Sequence, residues 1–523
     1  MALNCNRWKV GQFSTLSLAI VAGLLAAVLY FYIPNVIQKQ INEKAVLSED
    51  EFGNYSDTTK SWKDPKYDMA MSVYTFSVLN AAEVESNNTR PRVVEKGPYV
   101  FDEVQHKRIQ FAANDTRVFY RNYKYYFFNQ NKSCDDCLLT DVVTVPNIVL
   151  QTIIDKIPNN VIIKGLVDIV LRAQKEKIFI TATVGGLLFE GYEDPLISKI
   201  CNSNPMVRAF CRAQKIPLKV GLFYGKNGTE DGLYEIGSGT GDISELSKVF
   251  TFNRKNHTDA YYGPKAQQIK GTDGQMFPPG INSRDSYFLD LFVGPLCRSI
   301  ELERTGSRNY EGVWVYTYGP SRNMHDIDLQ RGLGFCNPNS PRYFNNTYIQ
   351  EKGCAPMGIM DVSSCMPGNP RIYISQPHFY GSHPAVHDAI DGLAPISDND
   401  KTEIGIEPAT SAVVYADQRT QLNLGVINGG LPSLSTVSPR IIPLIWLRDS
   451  ASFDEGTKAQ LSGLAGTKKD IFIASIGTFL FFCLSIVAFG VIFAVRSRQQ
   501  ESDTVPLLAD EQALAEEPQE ESA

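Results

Sequence analysis

Two stretches of the chain carry no charge over a length that crosses a membrane. Residues 13–33, FSTLSLAIVAGLLAAVLYFYI, and residues 471–495, IFIASIGTFLFFCLSIVAFGVIFAV, each predict a helix. At 1.5 Å per residue either one covers roughly 30 Å of hydrocarbon. The first follows Arg7 and Lys9 as a signal peptide would, but its apolar run is too long and ends in YFYIP, not in small residues. It reads as an uncleaved signal anchor. Arg7 and Lys9 precede the first span, and Arg496 and Arg498 follow the second. By the positive-inside tendency, residues 1–12 and 496–523 are cytosolic. Residues 34–470 then form one large lumenal or extracellular domain.

Inside that domain the hydrophobic pattern is mostly short and alternating. RVVEKGPYVFDEV (92–104), DTRVFYRNYKYYFF (115–128), PLKVGLFYGKNGTEDGLYEI (217–236) and AVVYADQRTQLNLGVI (412–427) mix β-branched and aromatic residues with Gly, Asn and Asp turns. They predict antiparallel strands. Between residues 144 and 202 the period becomes helical. In PNNVIIKGLVDIVLRAQKEK (158–177), Lys164, Asp168 and Arg172 recur every fourth residue as a narrow polar stripe, while Leu166 and Val170 belong to an apolar surface covering most of the rest. Such a helix either buries its apolar surface against the sheet or presents it to lipid or a partner. The fold class is therefore α+β, with two terminal transmembrane helices.

Composition places the domain in an oxidising compartment. Glycosylation acceptors begin at Asn54, Asn87, Asn114, Asn131, Asn227, Asn256 and Asn345, all between the spans. Eight of the ten cysteines also lie there: Cys134, Cys137, Cys201, Cys211, Cys297, Cys336, Cys354 and Cys365. An even number in such a compartment implies disulfides, with pairing open. Of the formal charge of −7, most resides in the tail, where two arginines face eight acidic residues after residue 495. No basic stripe suited to nucleic acid is evident.

Candidate chemistry is sparse. The chain has no H-E-x-x-H, G-x-S-x-G or P-loop, GSGTGD (237–242) fits a turn after a strand, and neither an enzyme nor a cofactor is indicated. Cys134 and Cys137 lack the second C-x-x-C of a zinc ribbon, so a local disulfide is favoured over a redox or metal role. His383 and His387 share a helical spacing near His378, but Pro384 marks a helix start there and no acidic ligand is fixed by spacing. No metal site is assigned. All six histidines lie between the spans, and none falls in 144–200, so an imidazole of that segment cannot make binding respond to acid.

EKGPYVF (95–101), LFYGKNGTEDG (222–232), IKGTDGQMFPP (269–279), LCRSIELE (296–303), PHFY (377–380), AIDGL (389–393), IEPATS (406–411) and PLIWL (443–447) occur in this order between the two spans. Over nearly its whole length the chain resembles the class B scavenger receptor family, and its layout is similar to that of the family's lysosomal member. The resemblance implies an antiparallel β-barrel enclosing a hydrophobic tunnel, with an apical helical bundle at about 146–200 that binds ligands. It also implies nested bridges Cys297–Cys365 and Cys336–Cys354, leaving Cys134, Cys137, Cys201 and Cys211 for additional local bridges. The ligands it implies are sterol, fatty acid or phospholipid, or a lysosomal hydrolase, with Lys164, Leu166, Asp168, Val170 and Arg172 as candidate binding residues.

The tail reads as disordered, poor in aromatic residues and rich in Glu. Within it, Asp503 precedes Leu507 and Leu508 in the form [DE]-x-x-x-L-[LI]. Clathrin adaptor complexes recognise this form in extended peptides, burying both leucines in apolar pockets. The expected location is the lysosomal or late endosomal membrane, with the plasma membrane as a further site, where the resemblance implies a scavenger or phagocytic receptor as the third functional reading.

Overall fold

In a computed structural model, the chain forms two compact units, residues 1–41 with 460–523 and residues 42–459. The structure describes residues 2–513 except 113, 203–204, 214–217, 282–285 and 395–399, without the side chains of 2–13, 15, 200, 207, 210, 211, 213, 325, 464, 465, 468 and 499–513.

The first unit contains both apolar helices. Helix α1 (Ala2–Ala27) continues through a π-helical turn at Val28–Tyr32 into α2 (Ile33–Ala45), so the helix outruns the predicted end at residue 33. Leu16–Ala45 and Lys469–Arg498 are each long and apolar enough to cross a membrane. Ala19, Ala22 and Ala26 are buried one turn apart, and a side chain on Gly23 would meet the Phe482 ring at 3.0 Å. Small residues on one stripe let the two helices approach closely, the common solution where lipid offers no hydrophobic gain from packing.

The second unit is built on an up-and-down sheet. Its strands are β1 (Tyr67–Val78), β2 (Val93–Phe111), β3 (Arg117–Phe128), β4 (Tyr234–Gly237), β5 (Val249–Phe252), β6 (Phe288–Val293), β7 (Arg298–Tyr310), β8 (Val313–Pro320), β9 (Glu403–Ile406), β10 (Val413–Val426) and β11 (Arg440–Phe453). Their spatial order is 5-4-3-2-1-11-10-9-8-7-6, antiparallel throughout, so every strand except β6 neighbours its predecessor and β1 meets β11. The predicted strand at 217–236 is mostly turn. Only Lys219–Val220, Thr229–Glu230 and the start of β4 are extended.

The edge strands β5 and β6 do not pair directly. The segment 270–273 lies between them, with Val249 N–H donating to Gly271 O (2.9 Å), Thr272 N–H to Asp290 O (3.1 Å) and Phe292 N–H to Thr272 O (2.8 Å). This staple gives both edges partners and closes the sheet into a near-barrel. Gly271 has φ +82°, and a Cβ there would stand 1.9 Å from the Asp290 carbonyl oxygen, so only glycine fits.

Helices α3 (Ile148–Lys156) and α4 (Val161–Gln174) pack at the end of the barrel marked by Phe76, Val78 and Trp446, opposite the Tyr67–Phe453 end. Leu150, Ile154 and Leu171 join those residues in one core cluster. Helices α5 (Pro195–Asn202) and α6 (Pro205–Ala213) follow, and α7 (Glu455–Ala513) leaves the unit after β11. Disulfides join Cys134–Cys137, Cys297–Cys365 and Cys336–Cys354. Cys201 is also disulfide-bonded, and the side chain of Cys211 lies outside the described residues.

Candidate functional site

Helix α4 is docked by its polar stripe and presents its apolar surface outward. Asn160 caps it, accepting from the N–H groups of Ile162 and Ile163, and Lys175 ends it in a left-handed conformation. Asp168 is only 4% exposed. Its Oδ1 accepts from Ser433 N–H (2.9 Å) and from the Ser433 hydroxyl, and its Oδ2 pairs with Arg172 Nε (2.8 Å). Burial raises the Asp168 pKa, but the two Ser433 bonds and the Arg172 charge outweigh it and hold the carboxyl below its ordinary value. Lys164 donates to Asn159 Oδ1 (3.0 Å) and lies over Gly430. Leu171 completes the docked edge from within the core.

The other side of α4 faces solvent. Ile162 is 74% and Leu166 61% exposed, beside exposed Val161, Ile169 and Val170. Of the two dispositions open to this helix, the structure takes the less usual one. Lys164 and Asp168 are anchors, Leu166 and Val170 belong to the presented surface, and Arg172 stands at the margin. The receiving loop, with Gly429 and Gly430 at φ +60° and +71° and Ser433 behind them, escaped the sequence reading. Its only signal is the turn-forming run NGGLPS at 428–433. Under the end of α4 a cavity of about 150 Å³ is lined by Glu85, Leu150, Leu171, Arg172, Lys177 and Ser433, among others.

The barrel interior is partly polar. Along β3, Val118, Tyr120 and Asn122 are buried while Tyr125 and Phe127 are exposed, so even-numbered residues face inward. Lys124 shares the inward face yet its side chain keeps 38% of its accessible surface, which requires unfilled space inside. Lys124 Nζ lies 3.5 Å from Glu103 Oε1. Gln105 donates to Glu103 (2.7 Å) and Asn122 to Gln105 (2.8 Å). Asp449 on β11 is pushed up to about 7 by desolvation and by Glu103. An interior of this polarity was not legible from the alternating pattern.

The remaining candidates have structural roles or stand apart. His383 caps the turn at Pro384–His387 by accepting from Ala385 N–H (3.1 Å), while His378 is buried 3.1 Å from Glu95. Among the described residues the cluster with ligand-type atoms in reach is Cys134, Asp136 and Cys137, whose sulfurs are bonded to each other. Asn54, Asn87, Asn114, Asn131, Asn227, Asn256 and Asn345 are all exposed, although Asn227 exchanges two hydrogen bonds with the Tyr126 backbone. The backbone is helical through Ala513, so Asp503, Leu507 and Leu508 lie on α7 and not on an irregular tail; their side chains lie outside the described residues.

The model of the CD36 family matches residues 16–495. The chain belongs to that family. It is 27% identical to "Lysosome membrane protein 2" of Homo sapiens, across 97% of this chain and 98% of that one. It is 28% identical to "Scavenger receptor class B member 1" of Sus scrofa, across 84% and 80%. The family assignment agrees with the eight ordered motifs, the two terminal candidate spans of a two-pass membrane protein and the near-barrel between them.

Proposed function

We propose that this protein is a lysosomal or late endosomal membrane glycoprotein that takes up lipid at the outward face of α4 and conducts it through the barrel interior to the membrane. The lipid classes are sterol, fatty acid and phospholipid. The observation carrying the reading is the exposure of Ile162, Leu166, Ile169 and Val170 on a helix whose polar residues are used for docking. A patch of that kind on a soluble face marks a site that meets lipid or protein. Support for passage comes from the closed eleven-strand path and the inward yet accessible Lys124. Eight strands already enclose a space that side chains just fill, so eleven leave room.

A protein ligand is the second reading, because the same face suits a lysosomal hydrolase carried by a sorting receptor. The two are separated by photo-crosslinking the full chain in nanodiscs with diazirine-bearing sterol and fatty acid. Conduction requires adducts on inward positions of β2, β3 or β11. Adducts confined to α1 and α7 would remove the conduit and leave the receptor.

Sorting is assigned to Asp503, Leu507 and Leu508 through clathrin adaptors. Adaptors take extended peptides, and α7 contains Pro506 at its end, which weakens the local helix by about 3 kcal/mol and favours unwinding there. Replacing both leucines by alanine forfeits roughly 1.5–3 kcal/mol of burial per side chain in the adaptor. The expected outcome is redistribution to the cell surface, measured by surface biotinylation. Undiminished lysosomal residence of that variant is incompatible with the signal.

A further inference from the structure

Arg298, the first residue of β7 beside Cys297, is 2% exposed and forms no ion pair with any described carboxylate. The other buried arginine among the described residues contrasts with it: Arg371 donates to Asp155 (2.7 Å). The Arg298 guanidinium lies 3.7 Å over the Phe335 ring and 5.8 Å from Tyr261. Nη2 donates to Gln330 Oε1 (3.3 Å), and the enclosed Nε–H has no partner among the described residues.

An arginine keeps its proton in any protein, so this charge cannot be discharged by titration. Burying an unpaired cation is costly, and aromatic faces offset only part of the penalty. Arg298 also lines a cavity of about 30 Å³, together with Met324, Gln330, Phe335, Asp361 and the Cys336–Cys354 bridge. That volume suffices for a particle the size of a water or a monoatomic ion.

We propose that this cavity binds a monoatomic anion, chloride, against the Arg298 guanidinium. The site is independent of the lipid reading. Among the described lining residues Asp361 is the one acidic group, and it does not pair with Arg298. Its Oδ1 accepts from the N–H and hydroxyl of Ser363, its Oδ2 has no partner, and burial pushes its pKa up, lessening its opposition to an anion.

The test compares thermal midpoints of the full chain in detergent, in chloride, bromide or gluconate at equal ionic strength. Chloride and bromide should raise the midpoint by about 2 °C over gluconate. Arg298→Met should abolish that difference. Asp361→Asn, which removes a like charge near the anion, should lower the half-saturating chloride roughly threefold. If Arg298→Met does not fold, chlorine NMR on the unaltered protein gives the answer through line broadening that bromide competes away. Equal midpoints without such broadening mean that water alone fills the cavity and overturn the proposal. So does a chloride effect that survives in Arg298→Met.

Discussion

Gly271→Ala should prevent the second unit from maturing, with the chain retained as core-glycosylated, protease-sensitive material. The added methyl would stand 1.9 Å from the Asp290 carbonyl oxygen, which is backbone and cannot rotate away. Relief requires moving the staple away from β6, giving up the bonds from Thr272 and Phe292 that close the sheet. Together with the left-handed φ, the cost is about 4 kcal/mol or more, a large fraction of the stability of an ordinary domain. Gly241 is the control, since it has the same φ, +82°, and a methyl there would meet nothing within 4 Å. Alanine at Gly241 meets the conformational penalty alone, about 1 kcal/mol. Glycan maturation and limited proteolysis of the two variants separate close approach from backbone strain. Equal maturation of both would mean that the staple yields and the barrel does not depend on it.

That staple marks a limit of what sequence makes legible. IKGTDG reads as a turn-rich stretch, and its glycines announce turns without saying that one must admit a carbonyl from a distant strand. The spans were legible because an uncharged run of such length has few alternatives in water. The β character of β2, β3 and β10 was legible from alternation, but alternation does not say whether the inner face encloses a packed core or a space. The position of Lys124 among buried neighbours decides that, and it depends on the strand count and on closure. Helix α4 shows the same division. Its stripe of Lys164, Asp168 and Arg172 follows from period, whereas the direction it faces follows from Ser433, about 265 residues later. Local period fixes which residues share a face, and only the tertiary partner fixes where the face points.

Leu166→Glu combined with Val170→Glu should leave the fold intact and reduce interior lipid cross-linking about tenfold or more. Both side chains are exposed, so their replacement costs within about 0.5 kcal/mol of stability. A lipid taken up at this face loses two apolar contacts worth roughly 1.5–3 kcal/mol each if buried, and 1.4 kcal/mol is already tenfold. Asp168→Ala is the contrasting variant. It leaves the Ser433 N–H and Arg172 without their carboxylate, and α4 should come loose at a cost of about 3 kcal/mol, visible as faster amide exchange over 161–174. Because the Asp168 pKa is depressed in the folded state, its stabilisation is present above the unfolded value and is lost only as pH falls below about 3.9 toward the folded value. The helix therefore stays docked at the pH of an acidic lumen, as the proposed uptake requires. Slow amide exchange with cross-linking lost in the double glutamate variant identifies the face as the uptake surface. Slow exchange with undiminished cross-linking shows that lipid enters elsewhere, and the exposed face of α4 is then left to a protein partner.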